Sequence, residues 1–314
     1  MTTFGYQIPG FRHAGATDAE MFDHTVAHAQ AAEDGGFESV WVMDHFWQLP
    51  MLGGPDEPIL EAYTLLGALA ARTERVKLGT LVTGVTYRNP ALLAKIVTTL
   101  DIISKGRAIL GIGAAWYEPE HIGFNFDFPR ASERLDRLEE AVQICRAMFR
   151  DDHQTWKGRY FSIEDARNVP RPIQPGGPPI MIGGGGEKRT LRLVAQYADM
   201  CNVSGGPAMI AHKLDVLRTH CKDVGRDPSE ITTTRLGTLV LTNDAAETAG
   251  TTEFLRGLAG AELDEQFVIG EPDDVVSKVG TLIDAGLDCL IFNMPLSQPE
   301  AVARAGKLLT STFS

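Results

Sequence analysis

Gly183, Gly184, Gly185 and Gly186 stand in a row between an apolar run at 179–182 and a segment of helical spacing at 187–197. Backbone without Cβ atoms lets a ligand approach closely, and the N–H groups and dipole of a following helix favour an anion. The chemistry implied is a phosphate cradle, although a tight turn with close helix packing has the same composition. The run lacks the Gly-Lys-Ser/Thr of a Walker A loop and the GxGxxG dinucleotide fingerprint. His45 is the best residue for proton transfer, because imidazole titrates near neutrality. Asp44, just before it, would orient a ring or bind a ligand amide. Trp47 and Trp116 offer flat apolar walls for a planar ring or an apolar substrate. Gly111-Ile112-Gly113 and Ser204-Gly205-Gly206 are weaker signals. The first suits close strand packing as well as ligand approach, and the second would add a phosphate contact. His13 and His121 lie in loops that would reach the same place. The sequence carries no GxSxG nucleophile motif and no acidic cluster with metal-ligand spacing.

These residues need a scaffold that gathers them. Short apolar runs at 3–8, 39–42, 76–82, 107–113, 179–182, 200–203, 231–241 and 289–293 read as strands, and helical spacing follows nearly every one. Between them, 151–178 breaks the rhythm and reads as an excursion covering one end of the core. Strands joined by helices pair in parallel, and eight right-handed crossovers close a barrel more readily than they extend a sheet. The expected fold is therefore a (β/α)8 TIM barrel with insertions, one domain over 1–314, with an open doubly wound sheet as the alternative. In a barrel the C-terminal strand ends form the working face. Asp44-His45, Thr83-Gly84, Gly113 to Trp116, Gly183 to Gly186 and Ser204 all fall there.

Composition narrows the partners. The 314 residues carry a net charge of −12, which argues against nucleic acid or an anionic membrane surface. A small anionic ligand held by backbone N–H groups remains compatible. Cys145, Cys201, Cys221 and Cys289 are dispersed, without a CxxC pair, and read as reduced thiols of a cytoplasmic protein. The N-terminus lacks a signal-peptide pattern, and no apolar run approaches the roughly 18 residues of a membrane span.

Several segments together resemble the luciferase-like monooxygenase superfamily, in particular its branch using the deazaflavin coenzyme F420. They are ESVWVMDH at 38–45, LGTLVTGVTYRNP at 78–90, GIGAAWYEPEH at 111–121, PIMIGGGGEKRTLRLVAQYADMCN at 179–202 and HKLDVLRTHCKDVGRDPSEI at 212–231. The resemblance implies a luciferase-like barrel with a ring-shaped cofactor across its mouth. It implies a cis peptide at Leu81–Val82 under the ring, with Asp44 and His45 beside it and Gly183 to Gly186 on its phosphate. Leu81, Val82, Thr83, Gly113 and Ser204 complete the implied cofactor site. Trp47 and Trp116 would line the substrate pocket, and no metal is implied. The implied activity is hydride transfer between the deazaflavin C5 and a small organic substrate, with His45 handling the proton. An FMN-dependent monooxygenase fed by a separate reductase is the alternative, and a non-catalytic flavin-binding protein is a reading of another class. Members of the superfamily are often homodimers. Two departures stand out: the branch's sugar-phosphate dehydrogenases have Glu where this chain has Trp116, and Lys where it has Gly206. They point to an apolar or neutral substrate and leave the cofactor phosphate to backbone donors, with Lys188 or Arg189 assisting.

Overall fold

The strands form where near-continuous apolar runs can be buried on both faces, as in Ala108–Gly113, every residue of which is buried. A computed structural model describes residues 2–13, 16–151, 153–260 and 263–313. In it the strands are β1 (Thr3–Gln7), β2 (Ser39–Val42), β3 (Lys77–Thr80), β4 (Thr83–Gly84), β5 (Ala108–Gly113), β6 (His153–Lys157), β7 (Ser162–Arg167), β8 (Ile180–Gly183), β9 (Met200–Val203), β10 (Thr232–Leu241), β11 (Phe267–Gly270) and β12 (Cys289–Asn293). The barrel runs β1-β2-β3-β5-β8-β9-β10-β12 and closes where β12 pairs with β1. Every pairing around it is parallel. The fold is thus the expected (β/α)8 TIM barrel.

Three departures from the expected elements stand out, the first two at the site end. The third strand is split: β3 stops at Thr80, and β4 resumes after Leu81–Val82 to pair with β5. A strand absent from the sequence reading, β11, pairs with Thr238–Leu241 of β10, while β9 pairs only with Thr232–Arg235. The excursion contains an antiparallel hairpin, β6–β7.

Trp41 fills the barrel interior together with Leu81, Ile109, Met181 and Ile291. An indole fits there because the strands on either side carry glycine. A Cβ at Gly5 would sit 2.9 Å from Trp41 Nε1, and one at Gly79 2.8 Å from the ring. The outer core lies between strands and helices. The helix Pro90–Ile103 is started by Asn89, whose side chain accepts from Ala91 N at 2.9 Å, with Pro90 in the first turn.

His13 does not reach the barrel mouth. It stacks on His24 and His28 of the helix Met21–Asp34, at 5.0 and 4.8 Å between ring centres. Burial, then the neighbouring His28 and His24, push it down from 6.5 to about 4. The unfolded chain takes up a proton near pH 6.5 that the folded chain refuses. Stability is therefore lost as pH falls from 6.5 toward 4. His13→Gln is expected to flatten that part of a Tm-against-pH curve, and an unchanged slope would count against the stacked arrangement.

Candidate functional site

A cleft of about 340 Å3 opens at the C-terminal ends of the strands, within the usual size range of small-molecule sites. Its floor is the link between β3 and β4. Leu81–Val82 is a cis peptide, as the resemblance implied. The Val82 side chain lies against Gly113 and Gly183. A Cβ at either would stand 2.9 Å from Val82 Cγ2, so these two glycines let the valine cross the floor. Below, the Thr83 hydroxyl contacts Tyr63 Oη at 2.6 Å and Thr80 Oγ1 at 2.9 Å, and Thr80 donates to the Gly111 carbonyl. This buried network ties the link to its neighbours.

At one side the chain leaves β8 through the glycine run into the helix Thr190–Tyr197. Gly184 has φ +122°, a region that side chains other than hydrogen resist. A Cβ on Gly185 would meet nothing nearer than Lys213 Cε at 3.7 Å. The loop is thus an open backbone concavity beside a helix N-terminus. Lys213 is the cation beneath it, held by Glu187 at 2.6 Å. Arg189 is committed elsewhere, to Asp136 and the Ser132 carbonyl.

His45 faces the cleft from the end of β2 with its side chain 12% exposed. Its Nδ1 lies 2.9 Å from Glu120 Oε2. Glu120 comes from the short helix Glu118–Gly123 and is fully buried. It also accepts from Phe46 N at 2.5 Å, Trp47 N at 2.8 Å and Tyr87 Oη at 2.8 Å. Burial pushes this carboxyl up, but the donors, His45 first among them, outweigh it and hold Glu120 below the usual carboxylate range. An ionised acceptor fixes the proton on Nδ1 and leaves Nε2 for exchange with a ligand. The sequence reading missed Glu120; its signal was the second acid of Glu118-Pro119-Glu120, four residues beyond Trp116. Glu120→Gln is expected to lower turnover roughly 10²-fold, because the amide donates where the carboxylate accepts and reverses the imidazole tautomer. Nitrogen NMR of His45 should show the proton moved to Nε2, a signature that mere loosening of the loop would not produce.

The remaining predicted residues are placed unevenly. Leu81, Val82, Thr83, Gly113, Gly183, Gly184 and Trp116 line the cleft with Asp44 and His45. The Asp44 carboxylate is bound by both terminal nitrogens of Arg88, at 2.6 and 3.1 Å, and Arg88 also reaches Glu61. Burial pushes Asp44 up and Arg88 pulls it back. The carboxylate thus lines the cleft already paired with Arg88. Trp47 does not line the cleft. It packs against the backbone of Gly123 and the ring of Phe124, because its own N–H is turned onto Glu120. Ser204 is exposed beyond β9, and with Gly185 and Gly186 it lies outside the cleft lining. His121 is buried, donating to the Tyr117 carbonyl and accepting from the Thr86 hydroxyl. Among the described residues, no group of three His, Cys, Asp or Glu side chains is arranged to hold a metal, and no helix is long and apolar enough to cross a membrane.

Comparison with known proteins agrees with this architecture. The family model for luciferase-like monooxygenases matches residues 2–259. An F420-dependent glucose-6-phosphate dehydrogenase of Amycolatopsis mediterranei is 30% identical over 302 residues, covering 86% of this chain and 88% of the relative. A protein of the same description from Kineococcus radiotolerans is 30% identical over 295 residues, covering 85% and 86%. Among solved structures, an F420-dependent secondary alcohol dehydrogenase in complex with an F420-acetone adduct superposes with a TM-score of 0.84 at 20% identity. It covers 100% of this chain and 99% of that one. A coenzyme F420-dependent tetrahydromethanopterin reductase from Methanopyrus kandleri gives 0.80 at 20% identity, with the same coverage. Such identities establish a common fold. With the family model spanning most of its length, the chain belongs to the luciferase-like monooxygenase family.

Proposed function

We propose that this protein is a coenzyme F420-dependent oxidoreductase acting on a small organic substrate, with His45 as the group that moves the proton. The single observation that carries this reading is the His45–Glu120 pair beside an open glycine cradle. A proton-transfer group of fixed tautomer and a backbone anion site open at the same barrel mouth. The relatives named for F420 cover most of the chain, which favours the deazaflavin over FMN.

The residues present suit such a group. The Gly184–Gly185 backbone leaves space that Cβ atoms would fill, and its N–H groups with the Thr190 helix end would hold a phosphate. Val82 would carry one face of a flat ring, and Asn202 and Thr190 add polar side chains to the lining. Bound there, coenzyme F420 would supply a two-electron hydride donor or acceptor. The chain's own part is orientation, exclusion of water and proton transfer. Tyr87 and Trp116 form apolar walls around His45. Glu120 compensates a positive charge on the imidazole whenever Nε2 takes a proton.

The test is substrate-dependent bleaching of the oxidised deazaflavin under argon and in air. Equal rates without oxygen consumption are expected. Turnover that needs oxygen and reduced FMN would replace this reading with a monooxygenase.

A further inference from the structure

We infer that the substrate is an uncharged alcohol or ketone bearing an aromatic or alicyclic ring, not a sugar phosphate, and that Trp116 selects it. This rests on the oxidoreductase reading above and extends it to the substrate.

Charge is the first argument. No Lys or Arg stands among the residues lining the cleft. Beside His45 the lining carries the Asp44 carboxylate, which already holds Arg88. A phosphate dianion would leave water without a cation to meet it, beside a carboxylate, in a chain of net charge −12. The anion-friendly feature at this mouth is the backbone cradle at Gly184 and Gly185, and the coenzyme would claim it. The relatives named for glucose 6-phosphate therefore share the frame with this chain but not, on this reading, the substrate.

Shape is the second argument. Trp116 is 57% exposed although it lines the cleft. Its indole stands edge-on to the His45 ring at 5.8 Å and tilted against Tyr117 at 5.3 Å; Tyr117 is itself edge-on to His45 at 5.9 Å. Ala115, immediately before it, has φ +61°, the left-handed region that a residue with a Cβ enters only when surroundings demand it. The backbone is thus turned to hold an indole beside His45 with more than half of the residue's surface exposed. The lining around it is largely apolar, through Leu81, Val82, Ala114, Ala115 and Leu236. A ring placed on Trp116 would cover this surface and bring its oxygen within reach of His45.

The redox balance fits this class. On oxidation of a secondary alcohol, the carbinol C–H leaves as hydride to the coenzyme and the hydroxyl proton passes to His45 Nε2, giving the ketone. Reduction of the ketone reverses both transfers.

The probes are acetophenone, 1-phenylethanol and glucose 6-phosphate, each offered to the coenzyme-loaded protein and, by ligand-observed NMR, to the coenzyme-free protein. Expected are turnover of the phenyl compounds and saturation transfer from the protein to their rings, with neither for glucose 6-phosphate. Trp116→Ala should raise KM for the phenyl substrate at least ~10-fold while coenzyme Kd stays within about 3-fold, and Trp116→Phe should restore most of the loss. Glucose 6-phosphate bound as well as acetophenone, or phenyl binding indifferent to Trp116→Ala, overturns the inference. Failure of the coenzyme to bind would count against the oxidoreductase reading alone, because the coenzyme-free NMR measurement still decides which probe the cleft prefers.

Discussion

Turnover of a His45→Ala variant is expected to fall roughly 10²–10⁴-fold, with coenzyme Kd changed no more than a few-fold. The asymmetry follows from the geometry. His45 stands at the side of the cleft with one nitrogen committed to Glu120, while the floor and cradle are formed by Val82 and the glycine run. Removing the imidazole deletes the proton path and leaves the ring's supports. Adding Glu120→Gln to His45→Ala should cost little further activity, because the carboxylate acts through the imidazole it orients. Additive losses would separate the two residues, and unchanged turnover in His45→Ala would remove the histidine from the chemistry.

Gly185→Val is expected to weaken coenzyme binding by ~30-fold or more, about 2 kcal/mol, while leaving Tm nearly unchanged. A Cβ at this position meets only the flexible end of Lys213, at 3.7 Å, so the protein alone has room for it. Only a ligand lying against the backbone would collide with the new side chain. Gly184→Val makes a useful contrast. Its φ of +122° adds a folding cost of order 1–3 kcal/mol, and there affinity and stability should fall together. Unaltered coenzyme affinity in Gly185→Val would show that the glycine run is a turn and nothing more.

The barrel was legible because its strands are short, buried on both faces and separated by helices of regular spacing. Runs such as Ala108–Gly113 and Cys289–Asn293 require a parallel sheet covered on both faces, and the pairing of β12 with β1 shows that it closes. β11 escaped because Phe267–Gly270 is four residues long and adjoins helical sequence on both sides. Its strand character comes from pairing with the end of β10, a tertiary fact. The break between β3 and β4 was legible only through the family resemblance, since residues 76–82 read as one apolar strand. His45 could be singled out from its type and place, but its partner could not. Glu120 and His45 are 75 positions apart, and only the fold of the loop after β5 turns that carboxylate inward. The same loop explains Trp47. Its backbone N–H donates to Glu120 and its ring settles on Gly123, so an aromatic residue that read as pocket wall became packing beside Glu120. Asp44 likewise read as a group that orients a ring or binds a ligand amide, and its pairing was not legible because Arg88 lies 44 positions away on the other side of the split strand.

Calorimetric titration of the purified protein with coenzyme F420 and, separately, with FMN bears most directly on the claim that the glycine cradle and Val82 hold a deazaflavin beside His45. One F420 per chain with a Kd in the micromolar range or below, and FMN at least ~10-fold weaker, is the predicted result. Absence of heat with F420 at millimolar coenzyme, or a preference for FMN, would contradict it.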